Sequence, residues 1–293
     1  MKQFDKTPWF AVPISLLVAG VVGWCGGHGG VLWMGVPAQL WVVGLAFAMQ
    51  WVAFAPAYLR QTERFFDLTG SLTYITVTGV ALAVSPQRDA RAVLLFLLVA
   101  VWAIRLGTFL VRRIRRVGKD ERFEKIKRSV PRFLMTWTLQ GLWVSLTLAA
   151  ALAAILTNVR KPVGVFAGVG FGLWVLGFSI EAVADWQKRR FRSIPDNRGA
   201  FIQQGLWRWS RHPNYFGEIL LWVGVAVIAS PVLRGWQWVT MISPLFVMLL
   251  LTRISGIPML EKRADQKWGG QVEYEAYKKS TSVLLPWFPK TPR

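Results

Sequence analysis

The run Arg211-His212-Pro213-Asn214-Tyr215-Phe216-Gly217-Glu218 sets a cation, an imidazole, an amide, a phenol and a carboxylate side by side, just before the apolar stretch 219–232. A chain entering a bilayer should shed polar groups, because each one buried without a partner costs several kcal/mol. Here they gather at the boundary instead. Pro213 suits the first turn of the following helix, where its missing N–H would be unpaired anyway. On that helix Asn214 and Glu218 are four residues apart and share a face. The pattern points to a polar ligand held at the mouth of a helix bundle.

A second polar group is Gln61-Thr62-Glu63-Arg64-Phe65-Phe66-Asp67-Leu68-Thr69-Gly70-Ser71-Leu72-Thr73-Tyr74. If this stretch is helical, Glu63 and Asp67 project together. Two nearby carboxylates can split their pKa values, leaving one as a proton donor near neutral pH. Helix capping and charge balance with Arg60 and Arg64 would explain the same residues. Tyr74 lies one to two turns deeper, where a phenol could protonate a substrate; an ordinary buried Tyr is the plainer reading. Arg105, Glu181, Glu218 and Arg253 fall inside apolar segments, and Asp185 lies at a boundary. Such residues are costly in a membrane and usually functional, although these could also pair internally.

The elements that must position these groups are membrane helices. The chain is 54% apolar with 17 Trp and 18 Phe, and its mean hydropathy is +0.38. Spanning a bilayer takes about 20 apolar residues. Candidate spans run 9–27, 31–58, 69–86, 91–111, 133–157, 162–183, 215–232 and 236–258. The expected fold is an all-α, polytopic integral membrane bundle of about seven to eight transmembrane helices, with no soluble domain. The first segment lacks the short apolar region and cleavage site of a removable signal, so it is expected to remain as a helix. Residues 1–130 would form the substrate side and residues 131–293 the cofactor side of one integral domain.

The net charge of +20 does not point to nucleic acid, because of where it sits. With a cytoplasmic N-terminus and eight spans, the inner loops 1–8, 59–68, 112–132, 184–214 and 259–293 hold 28 of the 35 Lys and Arg, and the outer loops, with Arg91 at the edge of its span, hold five. This positive-inside bias places both termini in the cytoplasm, the bacterial inner membrane being the expected location. The basic run 112–132 then reads as a topology signal that also contacts anionic lipid. The tail 259–279 reads as a cytoplasmic helix broken at Gly269-Gly270.

Other chemistries fit badly. No G-x-G-x-x-G follows a strand, and no P-loop is present. His28, His212 and the lone Cys25 make no metal set. A nucleotide would have to bind through Arg, Asn, Asp and Tyr at helix ends, where arginine forks suit phosphates.

The 211–218 run resembles a motif of the membrane enzymes that include steroid 5α-reductases, sterol reductases, and isoprenylcysteine and phospholipid methyltransferases. The stretch 63–74, Arg105-Leu106-Gly107, Gly118-Lys119-Asp120-Glu121-Arg122, Leu139-Gln140-Gly141, Asp185 and the tail Glu261, Trp268-Gly269, Tyr274, Tyr277, Leu285-Pro286 are similar to the bacterial DUF1295 family of the steroid 5α-reductase group. The resemblance implies an NADPH pocket open to the cytoplasm. Asn214 and Glu218 would meet the nicotinamide end, with His212 and Tyr215 beside them in the motif. Asp185, Arg192, Arg211 and Tyr277 would bind ribose and phosphates, and Arg105 and Arg253 would join the same site. Hydride would pass to the C=C bond of an enone in a steroid-like or lipid-like substrate, a small hydrophobic molecule.

The chain departs from the animal enzymes in two places. Trp102 stands at their later Tyr position, and no adjacent Gln-Glu pair occurs before residue 100. Glu63, Asp67 and Tyr74 are the substitute catalytic candidates. An S-adenosylmethionine-dependent membrane methyltransferase is the alternative reading, and a non-enzymatic transport or accessory protein the second.

Overall fold

The computed structural model describes residues 7–86, 88–117 and 123–289. The motif at 118–122 therefore lies outside the described residues, as do the chain ends. Among the described residues, eight helical stretches are long and apolar enough to cross a membrane. The chain is a multi-pass membrane protein.

The spans begin with α1 (Thr7–Gly26) and, after a short hairpin of β1 (Leu32–Trp33) and β2 (Val36–Pro37), α2 (Ala38–Leu59). Then come α3 (Phe66–Val84), α4 (Ala90–Val117), α5 (Val130–Leu156) and α6 (Val165–Ser193). A short α7 (Leu206–Trp209) precedes α8 (Pro213–Ala229), which opens on Pro213 as its ring geometry dictates.

The last span is not a continuous α-helix as its hydropathy suggested. It runs through a 3-10 turn (Gly235–Met241), α9 (Ile242–Leu249), a π-helical turn (Leu250–Ile254) and α10 (Gly256–Trp268). Gly270, at φ 84°, breaks the chain before α11 (Val272–Ser280), as the glycine pair implied.

The chain divides into two compact units, one comprising residues 1–167 and 225–243, the other 168–224 and 244–293. In the first, α5 is the centre. Every residue from 144 to 156 is buried, and Ala149, Ala150, Ala151, Ala153 and Ala154 supply small side chains that let neighbouring helices approach closely. Several polar groups in this interior are tied to backbone or to each other. Gln50 donates to Thr73 Oγ1 at 2.8 Å, Trp51 to Thr138 Oγ1 at 3.0 Å and Ser85 to the Ile155 carbonyl at 3.0 Å. At one end, Phe54, Phe66, Phe123, Phe133 and Trp137 pack in tilted and edge-to-face pairs.

In the second unit α6 and the start of α8 cross on glycine. A Cβ on Gly177 would lie 2.5 Å from the Gly217 carbonyl, and one on Gly217 would lie 2.5 Å from the Gly177 carbonyl. Seven residues on, Gly224 approaches the Gly170 carbonyl as closely. Only backbone fits there, so Gly217 is in the motif because α8 must bed directly on α6. Gly217→Val or Gly177→Val should lower ligand-free stability by roughly 1–3 kcal/mol or prevent folding. An unchanged Tm in detergent for both would show that the crossing is not needed.

A cofactor-competent cluster at the start of α8

One stripe of α6 carries Glu181, Asp185, Lys188 and Arg192, at the 4, 3 and 4 spacing that keeps side chains on one helix face. Glu181 and Asp185 are buried. Lys188 Nζ lies 4.3 Å from the centre of the Trp207 ring, a cation–π contact. Trp207 donates its indole N–H to the Ala184 carbonyl at 3.0 Å, and Gln187 accepts the Leu206 backbone N–H at 3.0 Å. The connection before α8 is thereby fastened to α6.

The C-terminal tail fastens the same connection from another side. Arg211 N–H donates to the Ser282 carbonyl at 2.8 Å, and Ser210 Oγ donates to the Leu284 carbonyl at 2.8 Å. Ser210 Oγ also accepts the His212 backbone N–H at 3.1 Å. Tyr277, expected to bind ribose or phosphate, donates its hydroxyl to the Trp207 carbonyl at 2.6 Å, so its described role is to hold α7. Burial pushes the Tyr277 phenol pKa upward, against the pull of Arg211 and with a further push from Glu261, which keeps it a donor.

The centre of the cluster is Glu261 on α10. Its Oε2 accepts from Arg211 Nη1 at 2.6 Å, and its Oε1 meets His212 Nε2 at 2.7 Å. A carboxylate bound to a guanidinium can only accept, so His212 Nε2 carries the proton and donates it. Burial holds the His212 pKa below the ordinary histidine value, against the opposing pull of Glu261; Lys188 and Arg211 lower it further. His212 is therefore a neutral imidazole whose Nδ1 is a hydrogen-bond acceptor. Among the described residues that Nδ1 is buried with no partner, and so are Asn214 Oδ1 and Arg211 Nε. Buried polar atoms left in this state are rare in folded proteins. Two unused acceptors and an unused donor within four motif residues can cradle a polar ligand.

The His212 ring is stacked on Tyr215 at 5.7 Å and 9°. Tyr215 in turn lies against the first residue of α10, just past the π-turn, where a Cβ on Gly256 would be 2.9 Å from its ring. Interruptions of this kind are frequent at functional sites. Asn214 and Glu218 sit on the first turns of α8, four apart as expected. Arg253 is on the π-turn and exposed, and among the described residues it makes no bond to the cluster.

The other candidates belong to the first unit. Glu63 and Asp67 do not share a helical face, because α3 begins at Phe66 and Glu63 precedes it in a turn. Glu63 is buried and paired with Lys127 at 3.0 Å. A long-range ion pair outweighed the local helical register. Asp67 and Tyr74 lie on α3 seven residues apart, which is one face. Tyr74 is buried, edge-on to Trp102 at 5.0 Å. Arg105 is on α4 in the same unit. Sequence reasoning missed Glu261 and Lys188 as members of the α8 cluster. Glu261 is 50 residues from Arg211, and its signal was confined to a tail pattern.

Residues 53–281 match the family described as "Protein of unknown function (DUF1295)". The chain belongs to the DUF1295 family. This DUF1295 protein is 29% identical over 119 residues to "3-oxo-5-alpha-steroid 4-dehydrogenase 1" of Macaca fascicularis, covering 41% of this chain and 40% of that one. The Rattus norvegicus protein of the same name is 29% identical over 119 residues, with 40% of each chain covered. An uncharacterized protein of Schizosaccharomyces pombe is 24% identical over 177 residues, 50% of this chain and 51% of its own. The match thus spans about two fifths of the named dehydrogenases and half of the yeast protein. No solved structure matches the chain.

Proposed function

We propose that this protein is an NADPH-dependent membrane reductase that adds hydrogen across the C=C bond of an enone in a steroid-like or lipid-like substrate. The single observation that carries the reading is the cradle of unpaired buried atoms on Arg211, His212 and Asn214. Its donor set suits a nicotinamide dinucleotide. The acceptors on His212 and Asn214 match amide and hydroxyl donors, and Arg211 and Arg192 match phosphates. Asp185 and Glu218 would take ribose hydroxyls or the carboxamide. The relatives' name adds a 3-oxo steroid and a bond at carbon 4, which is the chemistry of an enone read in the opposite direction.

NADPH, when bound, supplies a hydride for the carbon β to the carbonyl. The chain must then stabilise negative charge developing on the carbonyl oxygen and deliver a proton to the α-carbon. Tyr74 is the proposed proton donor, a phenol on a buried face of α3 with Asp67 on the same face. Glu63, held by Lys127, is assigned to positioning this end of the unit. Tyr74→Phe should leave cofactor-induced stabilisation intact and cut turnover by about 10²–10⁴-fold. Unchanged turnover would remove Tyr74 from the chemistry.

The experiment that tests the cofactor is the melting temperature of the detergent-purified protein with NADPH, NADH or S-adenosylmethionine. NADPH at about 100 times its Kd should add close to 3 kcal/mol of apparent stability. A rise with S-adenosylmethionine alone would replace the reductase by a methyltransferase.

A further inference from the structure

A polar cavity of about 500 Å³ opens in the first unit, lined by Arg60, Gln61, Thr62, Glu63, Arg64, Phe65 and Lys127. Its walls are the connection from α2 to α3 and the turn that precedes α5. Three cations line it against one carboxylate. Lys127 is already neutralised, by Glu63 at 3.0 Å and Glu124 at 3.5 Å. The positive charge left over belongs to Arg60 and Arg64, and among the described residues neither guanidinium has a hydrogen-bond or ion-pair partner.

The cavity is built rather than incidental. The end of α2 is closed by two bonds, Gln61 N–H to the Tyr58 carbonyl at 3.1 Å and Thr62 N–H to the Ala57 carbonyl at 2.9 Å. This is the glycine-type helix stop, yet Gln61 occupies the left-handed position at φ 49°. Its side-chain amide donates to the Tyr58 carbonyl at 2.8 Å, which holds the strained turn. The Lys127–Glu63 pair ties this turn to the segment before α5, and Ala57 of α2 belongs to a hydrophobic cluster with Phe123, Phe133 and Trp137. Two unneutralised arginines on a fixed backbone turn therefore line a pre-shaped opening.

Exposed apolar side chains adjoin the cavity. Phe65, in its lining just before α3, is 53% exposed, and Leu59, next to Arg60 at the end of α2, is 82% exposed. Both flank the ends of apolar spans, the depth at which lipid headgroups lie. Guanidinium pairs bind phosphate oxygens through bidentate, charge-assisted bonds.

We propose that this cavity is a specific site for a phosphate monoanion borne by an anionic phospholipid, with Arg60 and Arg64 as the phosphate ligands and Leu59 and Phe65 against the acyl glycerol. The site is independent of the reductase reading. It differs from diffuse attraction of basic loops to the membrane surface because it depends on two named residues.

The test is the melting temperature of the protein in neutral detergent with added phosphatidylglycerol, phosphatidylcholine or inorganic phosphate at constant ionic strength. Wild type, Arg60→Gln/Arg64→Gln and a charge-matched control, Lys125→Gln/Arg128→Gln, are compared. All four residues are exposed, so each variant should match wild-type Tm without lipid. Saturating phosphatidylglycerol should raise wild-type and control Tm by roughly 5 °C and leave the Arg60/Arg64 variant unmoved. Inorganic phosphate giving the same rise, again lost only in that variant, would uphold the phosphate site and make a soluble phosphate its source. A rise retained in the Arg60/Arg64 variant, lost equally in the control, or matched by phosphatidylcholine would overturn the proposal.

Discussion

Asn214→Ala is expected to weaken NADPH binding by about 10–100-fold while leaving the ligand-free Tm within roughly 2 °C of wild type. The two halves of this result have one cause. Asn214 Oδ1 is buried and makes no bond among the described residues, so deleting it removes no internal interaction seen there. What it removes is an acceptor held ready for a ligand donor. A structural Asn would behave the other way, because its loss would leave a former partner unsatisfied and lower Tm with no ligand present. Glu218→Gln, one turn further along α8, should weaken the cofactor without this clean separation, since Glu218 also has interactions inside the protein. Titrating NADPH against Tm, or following its fluorescence, measures both quantities. A folded Asn214→Ala protein that binds NADPH as wild type does would remove this cluster from the cofactor site.

Glu261→Ala should have the larger overall effect. It leaves the Arg211 guanidinium and the His212 ring without their shared carboxylate, at a cost of about 2–4 kcal/mol divided between folding and ligand affinity. Glu261→Gln separates the contributions. Its amide oxygen can still accept from His212 Nε2, preserving the tautomer that presents Nδ1, but it no longer offers Arg211 a charge. Affinity for NADPH should fall in both variants and recover partly in Glu261→Gln.

The pH dependence gives a sharper signature. Binding that uses Nδ1 as an acceptor is complete while His212 is neutral and is lost as pH falls through its pKa, which burial holds below 6.5. Glu261 raises that pKa against burial, so the acid limb of binding should move to lower pH in Glu261→Gln. The same depression links to stability. The unfolded state takes up the proton first, so the His212 contribution is full above about pH 6.5 and is lost as pH drops toward the folded-state value. An acid limb that does not move between wild type and Glu261→Gln would show that Glu261 does not act on the ligand through His212.

Much of this molecule could be read from its sequence because the bilayer imposes local rules. A span must be about 20 apolar residues long, and its hydrogen bonds must close within the helix. Eight such stretches were therefore visible without any tertiary information. Helix ends were equally local. Pro213 opens α8 and Gly269-Gly270 closes α10 because ring geometry and backbone freedom act on one or two residues. The side-by-side placement of Asn214 and Glu218 followed from 3.6 residues per turn alone.

What only the tertiary structure decided were the partnerships between residues distant in sequence. Glu63 faces Lys127, 64 residues away, and so left the helical register it would have shared with Asp67. Glu261 gathers Arg211 and His212 from 50 and 49 residues away, and selects which nitrogen of the imidazole is free to bind. Tyr277 is spent on the Trp207 carbonyl, and Gly217 is required by a backbone of α6 that no local pattern announces. Apolar length and helical period are properties of a segment. The choice of which charge meets which carboxylate is made only when packing brings segments together and forces every buried polar group to find a partner or keep a place for one.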